Sequence, residues 1–345
     1  MALALYEPGL GYYAGGSMKF GAAGDFTTAP ELSPLFGRTI ARQLVDILAM
    51  TGGDVLELGP GTGVLAAAVL PEMARLGCLP DRYLMLDVSA DLRERQSLTL
   101  SQLPEELRRR VVWVDALPAG LTGVVLANEV LDALPVHLVE WTTEGCFERG
   151  VGLNDDVFEW RRGPPVSGPL AQAAAEIPVR APYLSEVGLQ GRALVATLAQ
   201  RLRQGALLFI DYGFGRREFY HPQRSGGTLM CHHRHRAHAD PLLLPGIQDI
   251  TAHVDFTAVA LAGTRQGLSL AGFVTQAHFL VNCGITDLLL AAGPAASRDY
   301  LSLSAGVQRL LSPAEMGDLF KVMALTRDLA PPLRGFARGD VSRML

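Results

Sequence analysis

Asp54-Val-Leu-Glu-Leu-Gly-Pro-Gly-Thr-Gly-Val64 is the stretch that decides the fold of this chain. Its first five residues are a short apolar run of the kind that makes a buried strand, and the glycines stop it abruptly. Residues 64–76 then read as a helix, so the order is strand, Gly-rich turn, helix. Glycines at 59, 61 and 63 give G-x-G-x-G at that junction. Close approach of backbone to a ligand requires this, because a Cβ would fill the space, and so does the tight turn. A dinucleotide fingerprint would place its third glycine at 64, where Val64 stands. A phosphate-cradling Gly-Lys-Ser/Thr is absent from the sequence.

Working outward, 33–48 has helical spacing, with Leu35, Phe36, Ile40, Leu44, Ile47 and Leu48 on one side. Strands are expected at 82–87, 111–114, 124–127 and 205–211, with an Arg- and Glu-rich helix up to Leu100 and an amphipathic helix over 192–203. Strands alternating with helices imply a parallel sheet covered on both faces. The expected fold class is therefore α/β, a Rossmann-like sheet with inserted β-hairpin and helical segments. Residues 137–162 read as hairpin material around Gly145 and Asn154, and 163–183 as a Pro/Ala-rich connection. A second insertion, 213–255, carries most of the histidines. After it come a strand at 269–273, a helix through Leu290 and a last strand at 321–326. The division expected is a lead-in over the active site (1–37), a core (38–136 and 191–345) and an inserted substrate-side segment (137–190).

Three acids fall where parallel strands end: Glu57 in the first, Asp87 closing the second, Asp115 after the third. Open α/β sheets bind ligands at the carboxyl ends of their strands. S-adenosylmethionine has no phosphate, so a short glycine turn suits it while carboxylates hold its polar groups. Asp87 could accept both ribose hydroxyls and Asp115 the adenine amine. The expected cofactor set is Glu57, Gly59, Pro60, Gly61, Gly63, Asp87, Val88, Asp115, Ala116 and Asn128. Each acid taken singly is equally readable as a helix cap or a solvated turn.

Several runs resemble the MidA-like methyltransferases, a family that includes the mitochondrial complex I assembly factor that methylates a protein arginine. They are Leu5-Tyr-Glu-Pro-Gly-Leu-Gly-Tyr-Tyr13, Gly24-Asp-Phe-Thr-Thr-Ala-Pro-Glu31 with Phe36-Gly37, and Asn128-Glu-Val-Leu-Asp-Ala-Leu-Pro135. Asp211-Tyr-Gly213, Gly227-Thr-Leu229 and Asp249-Ile-Thr-Ala-His-Val-Asp-Phe-Thr257 extend the resemblance over nearly the whole chain. It implies a class I methyltransferase fold, S-adenosylmethionine as cofactor and a protein arginine, in a respiratory complex I subunit or its equivalent, as acceptor. The family begins with more residues before the Tyr-Glu-Pro element, so this start is read as shortened or as a late initiation codon.

Methyl transfer is an in-line displacement in which positioning and electrostatics dominate. A guanidinium is protonated near neutral pH and its nitrogens are poor nucleophiles. Carboxylates can localise its charge, orient the attacking nitrogen and accept a proton. Glu129 is the first choice for that role, Asp132 the second, and Glu31 could close over the site after the Pro30 turn. The alternative is that Glu129 and Asp132 start and cap a following helix. Asp211 and Tyr212 end a central strand and could line the substrate channel, and His253 and Asp255 enter through the resemblance alone. A methyltransferase acting on a small molecule or another protein nitrogen, and a noncatalytic assembly factor retaining the fold, are the competing readings.

Bulk composition sets the remaining bounds. The 345 residues are 49% hydrophobic and 19% charged, with net charge −5, which argues against a coat built on nucleic-acid phosphates. Only Lys19 and Lys321 are lysines among 30 basic residues, which reads as codon bias of a GC-rich genome. Four scattered cysteines suit reduced cytosolic thiols, and no window reaches the roughly 18 apolar residues of a membrane span. The start lacks a signal peptide's charged and apolar regions. A cytoplasmic protein is expected, with a protein substrate, no nucleic acid, no membrane insertion, and a homodimer as an option. The run Cys231-His-His-Arg-His-Arg-Ala-His238 has metal-ligand types but no second element with paired spacing, so no metal is expected.

Overall fold

A computed structural model describes residues 1–15, 27–295, 297–329 and 332–345. The Gly24-Asp-Phe26 part of the family run lies outside the described residues. Seven strands form the central sheet: β1 (Asp54–Leu58), β2 (Tyr83–Leu86), β3 (Val111–Val114), β4 (Leu121–Asn128), β5 (Leu202–Phe214), β6 (Ser269–Thr275) and β7 (Phe320–Arg327). Their spatial order is 3-2-1-4-5-7-6, with a further two-residue strand, Val254–Asp255, pairing alongside β5. All run parallel except β7, which is antiparallel to both neighbours.

Alternate residues along the strands feed two separate cores, as the two-residue period of a strand dictates. Val55, Val124, Leu126, Leu208 and Val322 face the long helix Pro34–Thr51, the helix Val64–Arg75 and the C-terminal helices. Leu56, Val125, Leu207, Phe209 and Met323 face the helices Leu189–Arg201 and Phe256–Thr264. A strand covered on both sides is largely apolar on both, as in Val55, Leu56 and Leu58 of β1 and 206–210 of β5, with the acids Glu57 and Asp211 as buried exceptions. The helix Pro34–Thr51 starts on Ser33, whose Oγ accepts from the Leu35 amide (3.2 Å), and buries all six apolar residues of the expected stripe.

The insertions are more ordered than their sequences suggest. Strands at His137–Thr142, Gly145–Asn154, Val157–Pro165 and Tyr183–Val187 make a four-stranded antiparallel sheet with its own small core around Trp141, Tyr183 and Tyr220. The Pro/Ala-rich connection contains the helix Gly168–Ala175. The histidine-rich run folds as a hairpin, Met230–His233 with Arg236–His238, turning through left-handed Arg234 and His235, and Asp249–Thr251 completes a three-stranded sheet. Among the described residues no group of three His, Cys, Asp or Glu side chains could hold a metal ion. Gly284 splits the expected helix through Leu290 into Gln276–Asn282 and Ile285–Leu290. A further helix, Arg298–Leu311, was not expected. No helix among the described residues is long and apolar enough to cross a membrane.

Candidate active site

A cavity of about 680 Å³ opens at the carboxyl ends of β1, β2, β4 and β5. Gly59, Gly61 and Gly63 have φ of 57°, 54° and 83°, left-handed values that favour glycine. A Cβ on Gly61 would meet no atom of the described residues within 4 Å, so the backbone there borders open space. One on Gly63 would sit 3.2 Å from the Cα of Gln96. Gln96 is fully buried and ties the loop to its surroundings. Its Nε2 donates to the carbonyl of Gly61 (2.9 Å) and to Asp87 Oδ2 (2.8 Å), while its Oε1 accepts from Trp113 Nε1 (2.9 Å). Asp87 Oδ1 accepts from the Ser89 amide (2.9 Å), which aims the carboxylate from the end of β2.

Residue reading missed Gln96, a polar position in a helix that looked wholly solvated. Its only signal was a lone amide among Arg and Glu. We expect Gln96→Leu to weaken binding of S-adenosyl-homocysteine by about tenfold, because the Gly61 carbonyl and Asp87 each lose a donor. Calorimetry showing unchanged affinity would remove the assigned role.

Glu57 lies under the loop, where the Tyr83 hydroxyl donates to its Oε2 (2.7 Å), and burial pushes its carboxyl up to about 7. Pro60, Val88 and Asn128 also line the cavity. Gly63, Asp115 and Ala116 do not. Gly63 supports the turn from behind, against Gln96. Asp115 points to solvent on the exposed turn after β3, held by Arg93 Nη1 (2.6 Å), outside the cavity lining where the cofactor set was expected. Arg93 also donates to the carbonyls of Asp87 and Val114 (both 3.0 Å), tying this turn to the end of β2.

The turn after β4 supplies the acids. Glu129 adopts φ 54°, a left-handed conformation that costs a non-glycine residue on the order of 1 kcal/mol and is retained at functional sites. Its Oε1 accepts from the Ala29 amide (3.3 Å) and from Asn128 Nδ2 (3.2 Å). No helix follows; 131–134 is a turn, so the capping alternative for Glu129 and Asp132 does not hold. Asp211, at the end of β5, explains the turn's shape. Its Oδ2 accepts from the amides of Val130 (3.2 Å), Leu131 (2.9 Å) and Asp132 (3.3 Å). Asp211 thus stands behind the turn and positions it, rather than lining the channel as expected. Tyr212 does line it, and so does Asp132. Burial pushes Glu129 up to about 8 and Asp132 up to about 6.

Glu31, on the short helix Ala29–Leu32, lines the same cavity and accepts from Thr62 Oγ1 at 3.5 Å. His253 stacks on Phe214 (5.4 Å) and meets Tyr212 edge-on (5.2 Å), and burial lowers it to about 4, so it is neutral. Asp255 is a cap: its Oδ1 accepts from the Ala258 amide. The lead-in and the histidine-rich insertion close the far wall through Tyr6, Tyr13, Met230, His232 and Asp249. Tyr13 donates to Asp249 Oδ1 (2.9 Å) and Tyr6 to the Ala133 carbonyl (2.9 Å). No described residue of 137–190 lines the cavity. That segment contributes support: buried Glu186 accepts from the amides of Thr228 (2.8 Å) and Leu229 (3.0 Å), anchoring the strand that leads into the wall.

A family model described as S-adenosyl-L-methionine-dependent methyltransferase matches residues 39–274, about two thirds of the chain. The chain is a MidA-like S-adenosylmethionine-dependent methyltransferase. A solved relative from Burkholderia thailandensis, bound to S-adenosyl-homocysteine, is 47% identical with a TM-score of 0.95, covering 100% of this chain and 90% of that one. The mitochondrial protein arginine methyltransferase NDUFAF7 of Mus musculus is 32% identical, over 93% of this chain and 78% of its own length. That of Homo sapiens is 30% identical, over 93% and 77%.

The methyltransferase's residues fit its cofactor. Gly61 leaves open space where a Cβ would stand, Asp87 is pre-aimed by Gln96 and Ser89, and Asn128 Oδ1 is buried with no partner among the described residues. The cofactor, when bound, supplies an electrophilic methyl on a sulfonium. Glu57, Asp87 and Asn128 would hold its polar groups, with Glu129 and Asp132 beyond them toward the acceptor.

These buried acids give the methyltransferase a pH signature. Between about 4.3, the unfolded value, and about 8, folded Glu129 keeps a proton that the unfolded chain gives up. Stability in the absence of cofactor therefore falls as pH rises through that window. The thermal midpoint should decline from pH 5 to pH 8 and decline less in Glu129→Gln. Parallel curves for the two proteins would contradict this.

Proposed function

We propose that the protein methylates an arginine side chain of a protein substrate. The observation that carries this reading is the charge of the cavity. Among the described residues it is lined by seven carboxylates (Glu31, Glu57, Asp87, Glu129, Asp132, Asp249 and Glu315) against one guanidinium, Arg309, itself 3.5 Å from Glu315. Burial drives Glu57, Glu129 and Asp132 toward the neutral acid, and a cation entering beside them restores the carboxylate. A permanently charged guanidinium answers that requirement, and the planar fork matches a carboxylate bidentately. The NDUFAF7 relatives carry the same activity in their names. A subunit of respiratory complex I, or its equivalent, is the acceptor to which the family resemblance points.

Glu129 orients the guanidinium and Asp132 neighbours it. As the new N–C bond forms, the C–S pair stays on sulfur and the displaced N–H proton passes to a carboxylate. The test is incubation with methyl-labelled donor and a cell extract, followed by hydrolysis and mass spectrometry of labelled peptides. Methylarginine in a defined protein is expected. Label on lysine or on a metabolite would overturn the reading.

A further inference from the structure

A second concavity, of about 270 Å³, lies between the helices Leu189–Arg201 and Phe256–Thr264 and shares no lining residue with the active-site cavity. We propose that it binds a small oxyanion, a carboxylate or phosphate group carried on a short apolar body. Three arginines from separate elements face it: Arg192, Arg216 and Arg265. Arg192 and Arg216 are mostly withdrawn from solvent, at 18% and 17% side-chain exposure.

The acids nearby do not saturate them. Glu176 serves both Arg265 (3.1 Å) and, at a long 3.8 Å, Arg192. Asp255 reaches Arg216 only at 3.5 Å, and its other oxygen caps the helix at Ala258 (3.2 Å). Glu186, the third acid near Arg192 and Arg216, gives its oxygens to Thr228 and Leu229, so the ion pairs of the three arginines rest on two carboxylates. No protein acceptor among the described residues reaches the buried Nε of Arg192 or Nη2 of Arg216. A guanidinium cannot shed its proton, so a withdrawn N–H of this kind calls for an acceptor. An oxyanion held between the two forks supplies two such acceptors at once, in the bidentate geometry that arginine favours. Ala196, Leu261 and Ala262 give the concavity an apolar floor, which suits a ligand with a hydrocarbon part. Its size admits one small acid and no peptide.

The test uses the whole protein with inorganic phosphate and benzoate as separate probes, and chloride at matched ionic strength, read by thermal midpoint and calorimetry. At least one probe should raise the midpoint saturably beyond chloride. Arg192→Gln and Arg216→Gln should each weaken that binding by at least about tenfold while S-adenosyl-homocysteine affinity stays unchanged. Benzoate alone assigns a carboxylate ligand and phosphate alone a phosphoryl ligand. An equal rise with chloride, a rise that never saturates, or identical binding in both variants would overturn the site. If Arg216→Gln fails to fold, Arg216→Lys keeps the charge, removes the fork, and should show the same loss.

Discussion

Glu129→Gln is expected to lower methyl transfer by about a hundredfold while leaving methyl-donor affinity nearly intact. The amide keeps the shape of the side chain, and its oxygen can still accept from the Ala29 amide and Asn128 Nδ2, so the left-handed turn survives. The negative charge that pairs with a guanidinium is lost. A charge-assisted contact is roughly twice as strong as a neutral one, and losing about 3 kcal/mol of transition-state interaction corresponds to about a hundredfold in rate. Asp132→Asn should show the same pattern more weakly, because Asp132 lies deeper and also meets Tyr212. Turnover of Glu129→Gln at the normal rate would sink the assignment. Loss of donor binding would move Glu129 into the cofactor pocket and leave Glu31 as the acceptor-side acid.

Gly61→Val is expected to abolish binding of the donor and its product, a loss of at least about a thousandfold, or on the order of 4 kcal/mol. Two causes add. The new side chain enters space where no atom of the described residues lies within 4 Å of the added Cβ, and φ 54° is costly for a β-branched residue. The control separates them. Gly77, in the turn after the helix Val64–Arg75, also has positive φ (73°) and open space at its Cβ, but lies outside the cavity lining. Gly77→Val carries comparable backbone strain and should bind S-adenosyl-homocysteine normally. If both variants lose binding together with their fold, strain alone explains the result. If Gly61→Val binds as the wild type does, the loop does not hold the cofactor.

The core of the fold was legible because its signals agreed. β1 is largely apolar on both sides, the glycines punctuate it, and the helix after the loop has the right spacing, so local and global preferences point one way. Arg298–Leu311 was missed although its own signals agree: Ser297 Oγ caps it by accepting from the Tyr300 amide, and Val307 and Leu310 fall on one buried face, while Gly306 and the serines weaken the pattern to the eye. In the site, residues whose roles follow from strand ends (Glu57, Asp87, Asn128, Glu129, Asp132) could be placed by topology. Asp211 could not be separated from them, because an acid that caps a turn and an acid that faces a ligand look alike in sequence. The far wall was missed as well. Tyr6, Tyr13 and Asp249 are 236 residues apart at their widest bond, and only tertiary packing brings them together.

The place of β7 in the sheet has a consequence for how the protein is made. Among the described residues β6 finds its sheet neighbour in β7 alone, and β7 is made well after it. A growing chain cut at any point before residue 320 presents β5 with an open edge and β6 with no partner in the central sheet. The cavity is incomplete over the same interval, since Met316, Leu319 and Phe320 line it. The glycine loop, made long before, therefore waits for this late strand before its cavity is complete. Contacts this distant in sequence form late and slowly, and the exposed edge is a hazard while they are pending.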